Sequence, residues 1–450
     1  MRLLAACLAT ACFAAEDVYV APSPEPTPEE TLILEFINRC RADPKAEALR
    51  MAPAGTAPRL PSSTAIDFDM FRDEMAKIPP AQPLVFDLRL LDAARKHSWY
   101  MIAHGLGHDE DPGKPRFTGK SPGDRMKAAG FPGAGGENAF RDAPDAWGSQ
   151  LGFVIDWGPG GPGGMQPERG HRRNICDPTY KLVGPGAVPH GGRLSVTHNL
   201  GGGGGRYAGG VVFLDRDRDA FYSLGEGRGG VEVKAGSAKA ATWGSGAYAI
   251  EIPAAAGTLT LSSGGVTITR AFPAGNTNVK IDWIIPQEQD LAAADKLLKA
   301  VDAAKDPASP AARKARVSLL IGAEGLALDD ARAARVKELT AELGTALTAD
   351  RAAVRAALDD PKALKAALAE HAKPWKGTAA AVWFSEAETS VRAAAGFAAV
   401  PADSTPTRLR AVAKELRALA DGMDTPEWRA RVAALALQAE GRLGPGGAGK

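Results

Sequence analysis

The hydrophobic pattern changes period twice along the chain, and this limits the fold more than any other feature of the sequence. Up to about residue 205, helical stretches alternate with Gly- and Pro-rich turns. From Arg206 to about Pro286, short strand-like runs recur roughly every ten residues: "GGVEVKAG", "AYAIEIPA", "GTLTLSSGGVTITRAF" and "TNVKIDWII". That spacing predicts a small all-β sandwich. From Gln287 to the end, Ala, Leu, Lys, Arg and Glu dominate, and apolar residues step by three and four. This predicts an all-α, Ala-rich region over 287–450. The chain is therefore expected to be multidomain, and its 450 residues suit about three domains.

The first 15 residues, "MRLLAACLATACFAA", carry Arg2 and then a short apolar run. They are expected to be a signal peptide, too short to span a bilayer. Residues 16–27 are acidic and Pro-rich, as in an extended spacer. Export places the protein in the periplasm, at the cell surface or in the medium. Neither Cys7 nor Cys12 lies in a good lipidation box, so a lipid anchor is not expected. Cleavage leaves Cys40 and Cys176, which can pair as one disulfide or stay as buried thiols. No CxxC motif is present, which argues against thiol-redox and cysteine–zinc chemistry. Net charge is +1, giving no global attraction to nucleic acid. No apolar run beyond the N-terminus is long enough for a transmembrane segment.

Local signals place elements in the first region. Thr27 can cap a helix that begins at Pro28, with Glu29 and Glu30 in its first turn. A second helix runs through "LLDAARKHSWYM", and Ser121–Pro122 opens a third. The Gly/Pro run at 157–164 is loop. "RLSVTHNLG" and "RYAGGVVFLD" are expected to be strands around a Gly-rich hairpin at 201–205.

Six of the seven histidines lie between positions 97 and 198. His97 and Ser98 sit on the second helix, where packing or capping is the ordinary role. His104 and His108 have a helical zinc-ligand spacing, but Gly105 and Gly107 interrupt the helix. "GHDEDP", "GGENAF" and "RGHRRNI" place His108, Glu137 and His171 in Gly-flanked turns. Imidazoles with a carboxylate can hold zinc with an open position. They can also form a polar cleft for acid–base work. Arg172, Arg173 and Asn174 are expected to begin a helix and make structural hydrogen bonds. His371, far downstream, is expected at the surface.

Together, "LLDAARKHSWYM", "GHDEDP…SPGDRMKAAGF", "GGENAF", "GHRRNICDPTYKLVGPG" and "VTHNLG" resemble the CAP superfamily of cysteine-rich secretory, antigen 5 and pathogenesis-related proteins. Their order and spacing are similar to its bacterial branch, over roughly 28–205. The resemblance implies an α-β-α sandwich around an antiparallel sheet. It also implies a cleft of two histidines and two acids: His108, His171, Glu137 and a fourth position that departs from the usual pattern. Asp156 is the first candidate there and Glu168 the second.

"DRDRDAFYSLGE" is the other sharp feature. Asp215, Asp217 and Asp219 fall at positions 1, 3 and 5, Phe221 at 7 and Glu226 at 12, which is EF-hand ligand spacing. Ala220 stands where Gly is expected, and strands flank the loop instead of helices. The alternative is a solvated acidic turn. The segment 206–286 also resembles Ca-loop-bearing β-sandwich modules related to adhesin B-type repeats, which implies a spacer or stalk stiffened by Ca²⁺.

The expected function is that of a secreted, non-catalytic binding protein. Its cleft would be zinc-capable at His108, Glu137, His171 and Asp156, and its partner an extracellular protein, lipid or glycan. The alternative is a metal-dependent hydrolase of peptide or lipid ester, with Glu137 as general base. No nucleophile is evident: Ser98 neighbours His97 in sequence, but adjacent helical residues diverge by about 100°. A third reading makes the C-terminal helices a partner-binding scaffold.

Overall fold

Thr27 opens the first helix with a reciprocal cap: Glu30 N–H donates to its hydroxyl, and Thr27 N–H donates to the Glu30 carboxylate. The computed structural model describes residues 21, 23–56, 58, 60, 64–303, 310–323, 326–376 and 378–443. The signal peptide expected over 1–15, with Cys7 and Cys12, lies outside them. The chain divides into two compact units, Met1–Ile285 and Pro286–Lys450.

The first unit begins with α1 (Pro28–Ala42), α2 (Pro44–Met51), α3 (Phe68–Met75), β1 (Val85–Phe86), α4 (Leu88–His104) and α5 (Pro122–Ala128). It continues with β2 (Gly135–Ala143), α6 (Ala146–Ile155), α7 (Gly170–Cys176), β3 (Leu182–His190) and β4 (Arg193–Gly201). The strands form one sheet in the order β1-β3-β4-β2. All pairings are antiparallel except the two-residue parallel edge of β1 on β3.

Side chains alternate across a strand, so β3 presents two different faces. A Cβ at Gly184 would lie 2.0 Å from Leu91 N, and one at Gly186 would lie 2.3 Å from Arg95 N. The backbone of α4 therefore rests directly on that face. Val183 and Ala187 point the other way, into an apolar core with Ile33 and Ile37 of α1 and Val154 of α6. Ser121 caps α5 as its position predicts.

Two local expectations are corrected. "GGENAF" is not a turn but the start of β2. Its glycines serve close packing, since a Cβ at Gly135 would meet Leu200 O at 2.1 Å. The Gly run at 201–205 does not close a hairpin. Both edges of β4 are already taken by β2 and β3, so the next strand, β5 (Tyr207–Phe213), joins a different sheet.

That second part contains β6 (Glu232–Ala235), β7 (Ala238–Ala241), β8 (Ala247–Glu251), β9 (Gly257–Ser263), β10 (Val266–Phe272), β11 (Val279–Lys280) and β12 (Trp283–Ile284). One antiparallel sheet has the order β10-β9-β6-β7. In the other, β5 is flanked by antiparallel β8 and by β11 and β12, which pair with it in parallel. The two sheets share a core that includes Val212, Val233, Tyr248, Leu261 and Trp283. The β9–β10 turn, Gly264 and Gly265, has φ of +56° and +82°, as a two-residue primed turn requires.

This β part is seated on α1. Thr31 Oγ1 donates to Ser245 Oγ at 2.8 Å. Lys280 Nζ lies 2.8 Å from Glu35, and the Arg39 guanidinium covers the Phe221 ring at 4.4 Å. Burial raises the Glu35 carboxyl to about 7, against the pull of Lys280.

The second unit is helical: α8 (Glu288–Asp302), α9 (Pro310–Ala323), α10 (Asp330–Ala356), α11 (Pro361–His371), α12 (Ala380–Ala398), α13 (Pro406–Asp421) and α14 (Pro426–Gly441). Trp375, Trp383, Phe384 and Trp428 anchor its largest apolar core. His371 is half-buried rather than at the surface. Its Nδ1 lies 2.7 Å from the buried Asp350 carboxylate, which also accepts from Trp375 Nε1 at 2.8 Å.

Candidate functional site

Two histidine–carboxylate pairs form beside the first sheet. β2 presents Glu137 toward the loop after α4, where His108 Nδ1 meets Glu137 Oε1 at 3.0 Å. The Glu137 side chain is 1% exposed and that of His108 is 53% exposed, so one member is fixed and the other accessible. Arg125 of α5 holds the second oxygen, Nη2 to Oε2, at 2.6 Å. The same nitrogen donates to His108 O at 2.8 Å. Behind them His97, fully buried, bonds Glu110 Oε1 and Gly107 O, each at 2.9 Å.

The second pair is built on a helix end. Asp156 closes α6 in the left-handed conformation, φ +60°, and is fully buried. Its Oδ1 lies 2.7 Å from His171 Nδ1. Its Oδ2 accepts the backbone N–H of His171 at 3.0 Å and of Arg172 at 3.4 Å. The carboxylate thus satisfies first-turn amides of α7 while it orients the ring. Glu168 is exposed and pairs with Arg173 at 3.3 Å, so Asp156 is the acid beside His171.

β2 and α7 join the pairs. Asn174 Nδ2 donates to Glu137 O at 3.2 Å and to Asn138 Oδ1 at 2.9 Å. Asn138 Nδ2 donates to His171 O at 3.2 Å. Arg172 spends its guanidinium on Val154 O, Ile155 O and Glu74. Ser98 Oγ is buried, 3.0 Å from Gly186 O and 2.9 Å from Thr197 Oγ1.

In the first pair each member favours the charged form of the other. The hydrogen bond that His108 donates to Glu137 raises the His108 pKa, against partial burial that would lower it. Burial works to raise Glu137, but the bond from His108 and the charges of His97 and Arg125 outweigh it and hold its carboxyl below the ordinary value. Such a carboxylate is a weak proton acceptor. In both pairs the imidazole commits Nδ1 to an acid, so Nε2 is the ring atom left to meet a ligand or metal.

Sequence reasoning missed Arg125, which has no motif of its own, and the buried His198. The His198 ring packs tilted against Phe153 at 4.4 Å, and Phe153 also meets the His171 ring at 5.4 Å. Among the described residues neither ring nitrogen of His198 has a hydrogen-bond partner. Burial, with the neighbouring His171, lowers its pKa to about 3.

The acidic loop follows β5. Asp215, Asp217 and Asp219 bring one oxygen each to within 4.8 Å of one another. They are the one such group of three or more metal-ligating side chains among the described residues. Glu226 is placed differently: Oε1 accepts Arg216 N–H at 2.6 Å and Oε2 accepts Ser223 N–H at 2.9 Å. Phe221 N–H donates to Asp219 at 2.7 Å, and its ring stacks on Phe36 at 5.4 Å. Ala220 adopts the left-handed φ of +58° that the position demands. Burial and the charges of Asp217 and Asp215 raise the Asp219 pKa, a strain that a bound cation would relieve.

Cys40 and Cys176 are free buried thiols.

The first unit is thus a mixed α/β domain carrying two buried acids that each orient one histidine. Residues 70–200 match the family model described as CAP, the cysteine-rich secretory protein family. The matched segment contains His108, Glu137, Asp156 and His171. No curated protein and no solved structure matches the chain. Among the described residues no helix is long and apolar enough to cross a membrane.

Proposed function

We propose that the chain is a secreted CAP-type protein of the bacterial branch that binds an extracellular protein, lipid or glycan without catalysing its turnover. Zn²⁺ would be held through Nε2 of His108 and His171, with Glu137 and Asp156 orienting the two rings from behind. The supporting observation is the matched pair of Nδ1–carboxylate bonds, at 3.0 and 2.7 Å. Carboxylate–histidine pairs of this kind fix the tautomer and raise the basicity of the metal-facing nitrogen. Two protein ligands would leave coordination positions for a partner's own donor. The hydrolase reading is less favoured. Glu137 is bonded to both His108 and Arg125 and held ionised, so it is a poor general base. The Asp215, Asp217 and Asp219 group would take Ca²⁺ independently and stiffen its loop.

Calorimetric zinc titration of the full chain, with calcium present, tests this. Zinc binding should be lost in His108→Ala and in His171→Ala and kept in Asp217→Ala. Binding indifferent to both histidine changes, or absent from the wild type, would remove the metal from the proposal.

A further inference from the structure

A groove of about 700 Å³ lies between α11 and α12 of the second unit. On α12, Ala381, Phe384, Glu388, Val391 and Ala395 line it. They step by three and four, so they share one face over about 20 Å. On the other side Leu364 and Leu368 of α11, and Ala372 just past its end, step by four and form the facing wall. The floor is apolar and the rim is not. Lys365, Lys373, Lys376 and Arg392 stand there against one acid, Glu388.

The three rim lysines make no ion pair among the described residues, and all three are exposed. An apolar trough with a net positive rim suits a molecule with an apolar body and an anionic head. The body gains by leaving water, and flexible ammonium groups can meet the head without being buried. The volume falls within the range of small-molecule sites. An extended alkyl chain can lie along such a trough with its head at the basic rim.

We propose that this groove binds a single-chain anionic amphiphile, a long-chain carboxylate. The test is calorimetry on the full chain with dodecanoate below its micelle concentration, and with neutral dodecyl maltoside for comparison. Dodecanoate should bind at one site, at least tenfold tighter than the maltoside. The triple variant K365E/K373E/K376E changes exposed side chains only. It should weaken dodecanoate at least tenfold with Tm unchanged. A369W, which fills the trough from an exposed position, should weaken both ligands. His108→Ala should leave dodecanoate binding intact. The proposal fails if dodecanoate does not bind, or binds no better than the maltoside. It also fails if binding survives both groove variants, or if only anionic vesicles or an acidic amphipathic peptide bind.

Discussion

The two units use charge in opposite ways. In the first, several guanidinium groups are buried and specify backbone positions. Arg41 alone donates to Gln82 O, Ile175 O, Asp177 O and Tyr180 O, at 2.6–3.3 Å. Arg125 and Arg172 do the same around the two histidines. In the second unit several ion pairs, such as Arg355–Glu427 and Arg417–Glu440, lie at the surface, while Trp383, Phe384 and Trp428 fill the core. Buried directional bonds fix loops to one geometry. Apolar packing with solvated charge fixes volume and tolerates sequence drift. The first arrangement suits a site built on loops, and the second suits a scaffold.

The sharpest way to break this contrast is to remove one arginine from each side. Arg125→Ala takes the buried cation away from Glu137 Oε2 and should cost about 3–5 kcal/mol in chemical denaturation. Arg417→Ala, at an exposed pair, should leave stability unchanged within error. Equal losses would erase the distinction.

A smaller effect is expected at His198. Its folded pKa of about 3 lies below the ordinary 6.5, so the unfolded chain takes up the proton first as pH falls. Stability from this residue is complete above about 6.5 and declines below it. The loss should be about 2 kcal/mol between pH 7 and pH 5. His198→Leu should flatten that part of the pH–stability curve. An unchanged slope would mean that the ring is not held neutral.

The smallest effect concerns His108 and Glu137. The raised His108 pKa gives stability that is present below 6.5 and lost as pH rises through the folded value. The lowered Glu137 pKa gives stability that is present above 4.5 and lost as pH falls through its folded value. The pair should therefore contribute most between those limits. Because His108 is half exposed, the contribution should stay below about 1 kcal/mol. NMR titration with a chelator present should show the His108 pKa falling toward 6.5 in Glu137→Gln. A His108 pKa indifferent to that change would show the pair to be uncoupled in solution.

What the sequence made legible was local. Thr27 and Ser121 are found where capping predicts, because their partners lie three residues away. The helical period after Gln287 is equally local. Long-range geometry was not legible. Gly184 and Gly186 are needed because α4, some 90 residues earlier, presses against them. Gly135 and Gly136 looked like a turn because sequence does not distinguish a glycine that bends the chain from one that admits a neighbour. The same blindness made 201–205 look like a hairpin, since nothing local says that both edges of β4 are occupied. Arg125 escaped notice for the same reason. Its partner is on another element, and an arginine twelve residues from a glutamate has no signature.

The seating of the β part on α1 has a consequence for the covalent chain. α1 lies before the run at 201–205 and β5 after it, yet Thr31, Glu35 and Arg39 bond or pack against Ser245, Lys280 and Phe221. A protease nick within 201–205 would therefore separate the polypeptide without separating the fold. The two fragments should migrate together under native conditions and come apart only in denaturant, with each piece serving as the other's missing wall.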